Sequence, residues 1–300
     1  MMPAGVAAYA VDRRARSHPL KGDMTRYVVF TDLDGTLLDA ETYDFAAAEP
    51  ALEALRARRI PIVLVSSKTR AEMEPLRRRL EHHDPFIVEN GAAVFVPQGL
   101  FAFPLERVRT KSFYDVIELG LPYHMLRDVL KQIEDAVETP LRGFGDLSVD
   151  DVMRLTGLSR TDATLAKMRE YDEPFLLEGP PALVAEVCRQ IVTRGLRWTK
   201  GGRLYHLTGE NDKGAAVELL LQCYQRQQRL SNSPCRIESV GIGDSVNDGP
   251  LLAAVDHPII VQKPDGSYDP DLHAPRLTRA PGIGPEGWNA AVLSLLRRSA

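Results

Sequence analysis

Tyr27-Val-Val-Phe30-Thr-Asp32-Leu-Asp34-Gly-Thr36 is the stretch that decides the fold of this chain. Four apolar residues of high β-propensity, then Thr31, run into a carboxylate, a spacer, a second carboxylate and a glycine. The run is too short for a helix and predicts a buried strand that delivers Asp32 and Asp34 at its C-terminal end. Two carboxylates so spaced can face one side and share a hard cation through oxygen ligands. Taken alone, however, Asp-x-Asp-Gly is also the composition of a turn, with Asp and Gly chosen for backbone reasons. The rest of the chain has to decide between the two.

Outward from this strand, residues 46–59 place Ala51, Leu52, Ala54 and Leu55 at helical spacing beneath an Arg-rich outer face. A second buried strand is predicted at 60–65, ending in Ser66-Ser-Lys-Thr-Arg70. A helix follows at 71–82, then a third strand at 86–88, ending in Glu89-Asn-Gly91. Strands alternating with helices through short connections predict a parallel α/β sheet, whose ligands gather beyond the carboxyl ends of the strands. From Ala92 the pattern changes. Residues 92–96 followed by Pro97-Gln-Gly99 read as a hairpin. Helices are predicted at 123–138, 161–170 and 181–194, and strands at 173–177 and, after Gly201-Gly202, at 204–207. Beyond Gly209 the doubly wound pattern resumes, with helices at 213–228, 250–255 and 287–298 and strands at 239–242 and 257–261. The expected architecture is a doubly wound parallel α/β sheet, a Rossmann-like core of residues 24–92 and 208–300. An inserted α+β unit, residues 93–207, would govern specificity.

Bulk properties narrow the function by exclusion. A formal charge of −4 supplies no general attraction for nucleic acid or anionic membrane. No apolar run approaches the ~18 residues that span a bilayer. Cys188, Cys223 and Cys235 are odd in number and unpaired in spacing, which suits a reducing cytoplasm better than a disulfide framework or a zinc site. Residues 1–23 hold a short apolar stretch before Asp12-Arg-Arg-Ala-Arg16, the reverse of a secretory signal. They are expected to be a disordered extension, or to precede an alternative start at Met24. Nothing in the sequence indicates an oligomeric state.

Three further elements bear on Asp32. Ser66 stands at the end of the second predicted strand, where a hydroxyl either caps the next helix or meets an anion. Lys213, in Asp212-Lys-Gly214, starts a predicted helix, where its charge opposes the helix dipole unless an anion is near. Gly243-Asp244-Ser-Val-Asn247-Asp248 places oxygen-bearing side chains after a strand. Carboxylates without a thiol or imidazole cluster favour Mg2+ over a softer metal.

In these four elements and their order the sequence resembles the haloacid-dehalogenase-like superfamily of phosphoryl-transfer enzymes, over residues 25–298. The resemblance implies Asp32 as nucleophile, Asp34 as general acid and base, and Ser66 and Lys213 as partners of the phosphoryl group. It implies Asp32, Asp34 (through its carbonyl), Asp244 and Asp248 as the magnesium site. Phosphate monoesters are slow enough to demand ~10^21-fold acceleration, and covalent catalysis combined with metal neutralisation of charge divides that task. The insertion lies between the second and third motifs, as in the sugar-phosphatase branch, which implies a small sugar phosphate as substrate. Ser66-Ser-Lys-Thr-Arg70, Glu89-Asn-Gly-Ala92, Gly201-Gly-Arg-Leu-Tyr-His206 and Gly284-Pro-Glu-Gly-Trp-Asn289 are similar to strings of the mannosyl-3-phosphoglycerate phosphatase family. Where the family string usually has Phe, this chain has Leu204 or Tyr205. The implied substrate-binding set is Ser67, Lys68, Glu89, Asn90, Lys200, Gly202, Arg203, His206 and Asn247. Arg203 would fork onto a carboxylate, and Glu89 and Asn90 would meet sugar hydroxyls. Lys68 and Arg70 extend the anion site or are helix-surface charges; Gly201-Gly202 admits substrate or makes a hairpin turn. Glu286 and Trp288 are expected to order the C-terminal segment. A phosphatase for another sugar phosphate, such as glucosyl-3-phosphoglycerate, and a phosphomutase are the rival enzymes. A catalytically inactive binding protein is the rival of another class, opposed by retention of all five charged motif residues.

Overall fold

A computed structural model of the protein describes residues 26–201, 203–232 and 235–298. The expected N-terminal extension and Gly202 therefore lie outside the described residues. The strand before Asp32 is β1 (Arg26–Thr31), followed by α1 (Glu49–Ala57), β2 (Ile62–Val65), α2 (Arg70–Arg79) and β3 (Phe86–Val88). Next come β4 (Ala93–Pro97), β5 (Val108–Lys111), β6 (Tyr114–Glu118), α3 (Tyr123–Val137), α4 (Val149–Thr156), α5 (Arg160–Ala166) and β7 (Glu173–Phe175). The chain continues through α6 (Pro181–Thr193), β8 (Arg197–Gly201), β9 (Leu204–Thr208), α7 (Lys213–Arg229) and β10 (Ile237–Gly243). It closes with α8 (Gly249–Ala253), β11 (His257–Gln262), β12 (Thr278–Ile283) and α9 (Gly284–Arg298).

The large sheet has nine strands in the order β12-β11-β10-β1-β2-β3-β4-β6-β5. Strands β12 to β3 pair in parallel. Successive residues of β1 face opposite sides. Val29 joins Leu64, Leu52, Leu55 and Trp288 on one face, while Val28 and Phe30 join Val63, Val217, Leu220 and Leu251 on the other. Helices cover both faces, so these strands read as unbroken apolar runs rather than alternating ones. β1 lies between β10 and β2, at the point where the strand order reverses direction. Thr31 pairs with Ile242 on one side and Leu64 on the other. That register brings the residues after β1, β2 and β10 to one edge, which is where doubly wound sheets bind ligands.

The sheet does not stop where the sequence pattern changes. β4 pairs antiparallel with β3 and with β6, and β5 pairs with β6, so residues 93–97 and 108–118 extend the large sheet. The hairpin expected at 97–99 is absent, because Pro97 pairs with Tyr114. Aromatic packing holds this extension. Phe86 stacks on Phe95 at 4.9 Å, and Tyr114 meets both rings edge-on. A separate sheet, β7-β9-β8, has its own core of Leu126, Leu130, Phe175, Val187, Ile191 and Leu207 beneath α3 and α6. β8 and β9 form a hairpin with Gly201 opposite Leu204, which is the turn reading of Gly201-Gly202. Helix α5 ends at Ala166 rather than 170, and the backbone N–H groups of Glu170 and Tyr171 instead serve Glu89. Among the described residues no helix is long and apolar enough to cross a membrane.

Candidate active site

Asp32 follows β1 directly, its backbone N–H donating to Ile242 O at 2.9 Å. The residue is only 7% exposed, and Oδ1 accepts from Lys213 Nζ at 2.7 Å. The same ammonium donates to Asp248 Oδ1 at 2.6 Å and is itself buried. Lys213 begins α7, whose first turn is capped by Asp212 Oδ1 accepting from Ala215 N at 2.8 Å. Two carboxylates therefore answer the lysine's conflict with the helix dipole. Asp32 Oδ2 meets no partner among the described residues.

Asp32, Asp244 and Asp248 each offer an oxygen within 4.8 Å of the others. Burial, then the charge of Asp248, pushes Asp32 well above the usual carboxylate range, against the pull of Lys213. The same two causes raise Asp244 to about 7. Three carboxylates against one ammonium leave an excess of negative charge in a buried pocket of oxygen donors. That donor set fits a hard divalent cation. The loop is held by its own hydrogen bonds. Asp248 Oδ2 accepts from the backbone N–H of Asp244 (3.1 Å) and Ser245 (3.2 Å), and a Cβ on Gly243 would stand 2.6 Å from that of Asp248. Asn247, expected at substrate, accepts instead from Ser245 Oγ at 2.8 Å.

The Asp-x-Asp-Gly turn is real, and it serves the site. Gly35 has φ +77°, and a Cβ there would lie 2.9 Å from Asp244 Oδ2. Glycine thus supplies both the left-handed backbone and the close approach of β1 to the β10 loop. Thr36 Oγ1 lies 3.4 Å from Asp244 Oδ1. Asp34 is expected to reach the metal through its backbone carbonyl, and its carboxylate is not one of the three that cluster. Its Oδ2 pairs with Lys68 Nζ at 2.9 Å, and its buried Oδ1 has no partner among the described residues. Lys68 also lies over the Tyr43 ring, 4.9 Å from its centroid.

Helix α2 is capped by Thr69 in a reciprocal capping box with Glu72, so the capping role left open for Ser66 falls to another residue. Ser66 Oγ is buried and accepts from Lys68 N at 3.2 Å. Ser67 contributes its carbonyl, which accepts from Arg169 at 2.7 Å.

Glu89 and Asn90, expected at sugar hydroxyls, have other partners. Glu89 is fully buried, and its carboxylate accepts from the backbone N–H groups of Glu170 (3.0 Å) and Tyr171 (2.9 Å). Burial pushes it up to about 7, against Arg169. Asn90 Nδ2 donates to Asp172 at 2.8 Å. The reason is local. Glu89, Asn90 and Gly91 all have positive φ, and a Cβ on Gly91 would overlap Asp212 O. The chain therefore turns sharply against both segments that lead to and from the second sheet. Lys200 is exposed over the Tyr205 ring, and Arg203 is 71% exposed, 3.9 Å from Glu178. No described hydrogen bond or ion pair joins either to the carboxylates. His206 is buried against Asp172.

Sequence reasoning missed Arg169, Asp172 and Thr31. Thr31 Oγ1 donates to Asp32 O at 2.7 Å and accepts from Trp288 Nε1 at 3.0 Å, which is how the C-terminal segment is ordered against the site. A cavity of about 270 Å³ lined by Ile60, His82 and Asp84 lies at the opposite end of the strands, so depth does not locate the site; the carboxylates do.

Comparison with known proteins agrees with this geometry. Residues 29–120 match the family model of haloacid dehalogenase-like hydrolases. The chain is 45% identical over 274 residues to a glucosyl-3-phosphoglycerate/mannosyl-3-phosphoglycerate phosphatase of Methanococcoides burtonii, covering 91% of this chain and 98% of that one. It is 36% identical over 237 residues to a mannosyl-3-phosphoglycerate phosphatase of Pyrococcus furiosus, covering 78% and 90%. A crystal structure of a Thermoplasma acidophilum protein superposes with a TM-score of 0.62 at 17% identity, covering 92% and 98%, and so shares the fold.

Proposed function

The chain belongs to the mannosyl-3-phosphoglycerate phosphatase family of haloacid dehalogenase-like hydrolases, and we propose that it releases phosphate from both mannosyl- and glucosyl-3-phosphoglycerate. It is a phosphoric monoester hydrolase with a sugar phosphate as its substrate. Both sugars are included because the relative at 45% identity carries both in its name, whereas the one at 36% carries mannosyl alone. The observation that carries the reading is the buried Asp32, salt-bridged to Lys213, with Oδ2 free to attack.

In this reading Asp32 Oδ2 attacks phosphorus, the bond from phosphorus to the glycerate oxygen breaks, and Asp34 gives that oxygen its proton. Water then attacks the aspartyl-phosphate, Asp34 takes the water's proton, and Asp32 is restored as a carboxylate. The partnerless Oδ1 of Asp34 is the atom available for both transfers. Lys213 holds the unreactive oxygen of Asp32 and keeps the attacking one oriented, while Ser66 has its hydroxyl proton left to donate to the phosphoryl group. Mg2+ held by Asp32, Asp244, Asp248 and the Asp34 carbonyl would neutralise phosphoryl charge. Three free cysteines suit a cytoplasmic enzyme. The test is phosphate release from the two glycosyl-3-phosphoglycerates with Mg2+ and with EDTA. Metal-dependent release from both is expected. Release from neither, with release from unrelated sugar phosphates, would overturn the substrate assignment.

A further inference from the structure

A hydrogen-bonded chain crosses from the loop bearing Ser66 to the second sheet. Tyr205 and Leu207 enter the core beneath α3 and α6, so strand alternation puts His206 on the opposite face of β9. There His206 Nδ1 lies 2.9 and 3.1 Å from the two oxygens of Asp172. One of those oxygens also accepts from Asn90 Nδ2, and Asn90 N donates to Ser66 O at 3.1 Å. Asp172 is fully buried, yet His206 and Arg169 outweigh that burial and hold its carboxyl below the usual range. An ionised carboxylate has no proton to give, so Nδ1 carries the hydrogen. Nε2 is left without a partner among the described residues, on a side chain that keeps 10% exposure.

We propose that Asp172, with Asn90 behind it, is a positioning residue that fixes His206 in the Nδ1–H tautomer, so that Nε2 accepts a hydrogen bond from a hydroxyl of the substrate's glycosyl group. The proposal rests on the glycosyl-phosphoglycerate reading. The chemistry selects the hydroxyl. In its neutral form a ring so oriented has a lone pair at Nε2, to which a sugar hydroxyl can donate and an ionised phosphoryl oxygen or carboxylate cannot. Asn90 matters because it donates to the same Asp172 oxygen that lies 2.9 Å from His206 Nδ1, and so holds that oxygen in place. His206 Nδ1 faces both oxygens of Asp172, at 2.9 and 3.1 Å. Asp172→Asn puts an NH2 group in place of one of them, a donor set against Nδ1–H, which favours the wrong tautomer. Combining Asn90→Asp with Asp172→Asn moves the charge one step along the hydrogen-bonded chain and lets the amide oxygen of residue 172 face Nδ1–H again, and Asp tolerates the left-handed backbone at position 90.

The Mg2+-loaded enzyme and these variants are assayed on mannosyl-3-phosphoglycerate and on p-nitrophenyl phosphate, which lacks the glycosyl group, and ring tautomers are read by 15N NMR. The expected result is Nδ1–H at His206 in the wild type. Asp172→Asn should lower kcat/KM roughly tenfold on the glycosyl substrate, mainly through KM, with p-nitrophenyl phosphate turnover unchanged. The exchanged pair should recover most of the loss. An Nε2–H ring in the wild type overturns the proposal and needs no variant to fold. Equal losses on both substrates, or no recovery in the exchanged pair, also overturn it, while leaving the substrate reading intact. A wild type that turns over p-nitrophenyl phosphate but neither glycosyl-phosphoglycerate removes both.

Discussion

Replacing Lys213 with Met keeps most of the side chain's volume and removes one positive charge from the interior. Nζ now bonds Asp32 at 2.7 Å and Asp248 at 2.6 Å, with the three side chains 2%, 9% and 0% exposed. Breaking a buried ion pair from one side costs about 3–5 kcal/mol, chiefly because the remaining charge is left uncompensated. Here two carboxylates lose the same partner, so a loss of about 4 kcal/mol is expected in metal-free protein near pH 8. The loss must depend on pH. Asp32 and Asp244 already lie above their ordinary range, Asp244 at about 7, and the lysine is what opposes a further rise. An acid raised in the folded state binds more protons there than in the unfolded chain, so its contribution to stability falls as pH rises through that window. The deficit of Lys213→Met should therefore shrink by about half or more near pH 5, where the cluster takes up protons. Urea unfolding in EDTA near both pH values measures it. A deficit under about 1 kcal/mol near pH 8, or an equal one at both, would refute the view that Lys213 balances the carboxylates.

Glu89, raised from 4.5 to about 7 by burial, makes wild-type stability fall as pH rises between those values, by up to about 3 kcal/mol. Glu89→Gln lacks that slope, so its stability relative to wild type, from urea unfolding, should improve from about pH 5 to about pH 8; a constant difference contradicts this. Gly35→Ala sets a Cβ 2.9 Å from Asp244 Oδ2 at φ +77°, and should cost about 1–2 kcal/mol in denaturant unfolding and weaken Mg2+ binding in calorimetry. Trp288→Phe removes the donor to Thr31 Oγ1 in a fully buried site and should cost about 1–3 kcal/mol, read from the urea midpoint.

The parallel part of the sheet was legible in the sequence because both its faces are covered, which turns strands such as 60–65 into apolar runs bounded by polar clusters. β5 and β12 were not, because they are largely exposed edge strands (Val108-Arg-Thr-Lys111 and Thr278-Arg-Ala-Pro-Gly-Ile283) with no apolar period. At the site, Asp32, Asp244, Asp248 and Lys213 could be named because each sits at an element boundary that local sequence marks. The partners of Glu89, Asn90 and His206 could not. Asp172 lies in a linker whose place is set by contacts 82 residues away to Asn90 and 34 away to His206. Nor does sequence tell a carboxylate that meets substrate from one that ties a linker. That difference appears only in burial and in the two backbone N–H groups that Glu89 accepts.

Asp32 as nucleophile remains the center of the account, and Asp32→Asn tests it most directly. Phosphate release from mannosyl-3-phosphoglycerate with saturating Mg2+ should fall by about a thousandfold or more, with substrate still bound in calorimetry, because the amide cannot form the aspartyl-phosphate. Turnover within about tenfold of wild type would contradict the account, whatever else the site retained.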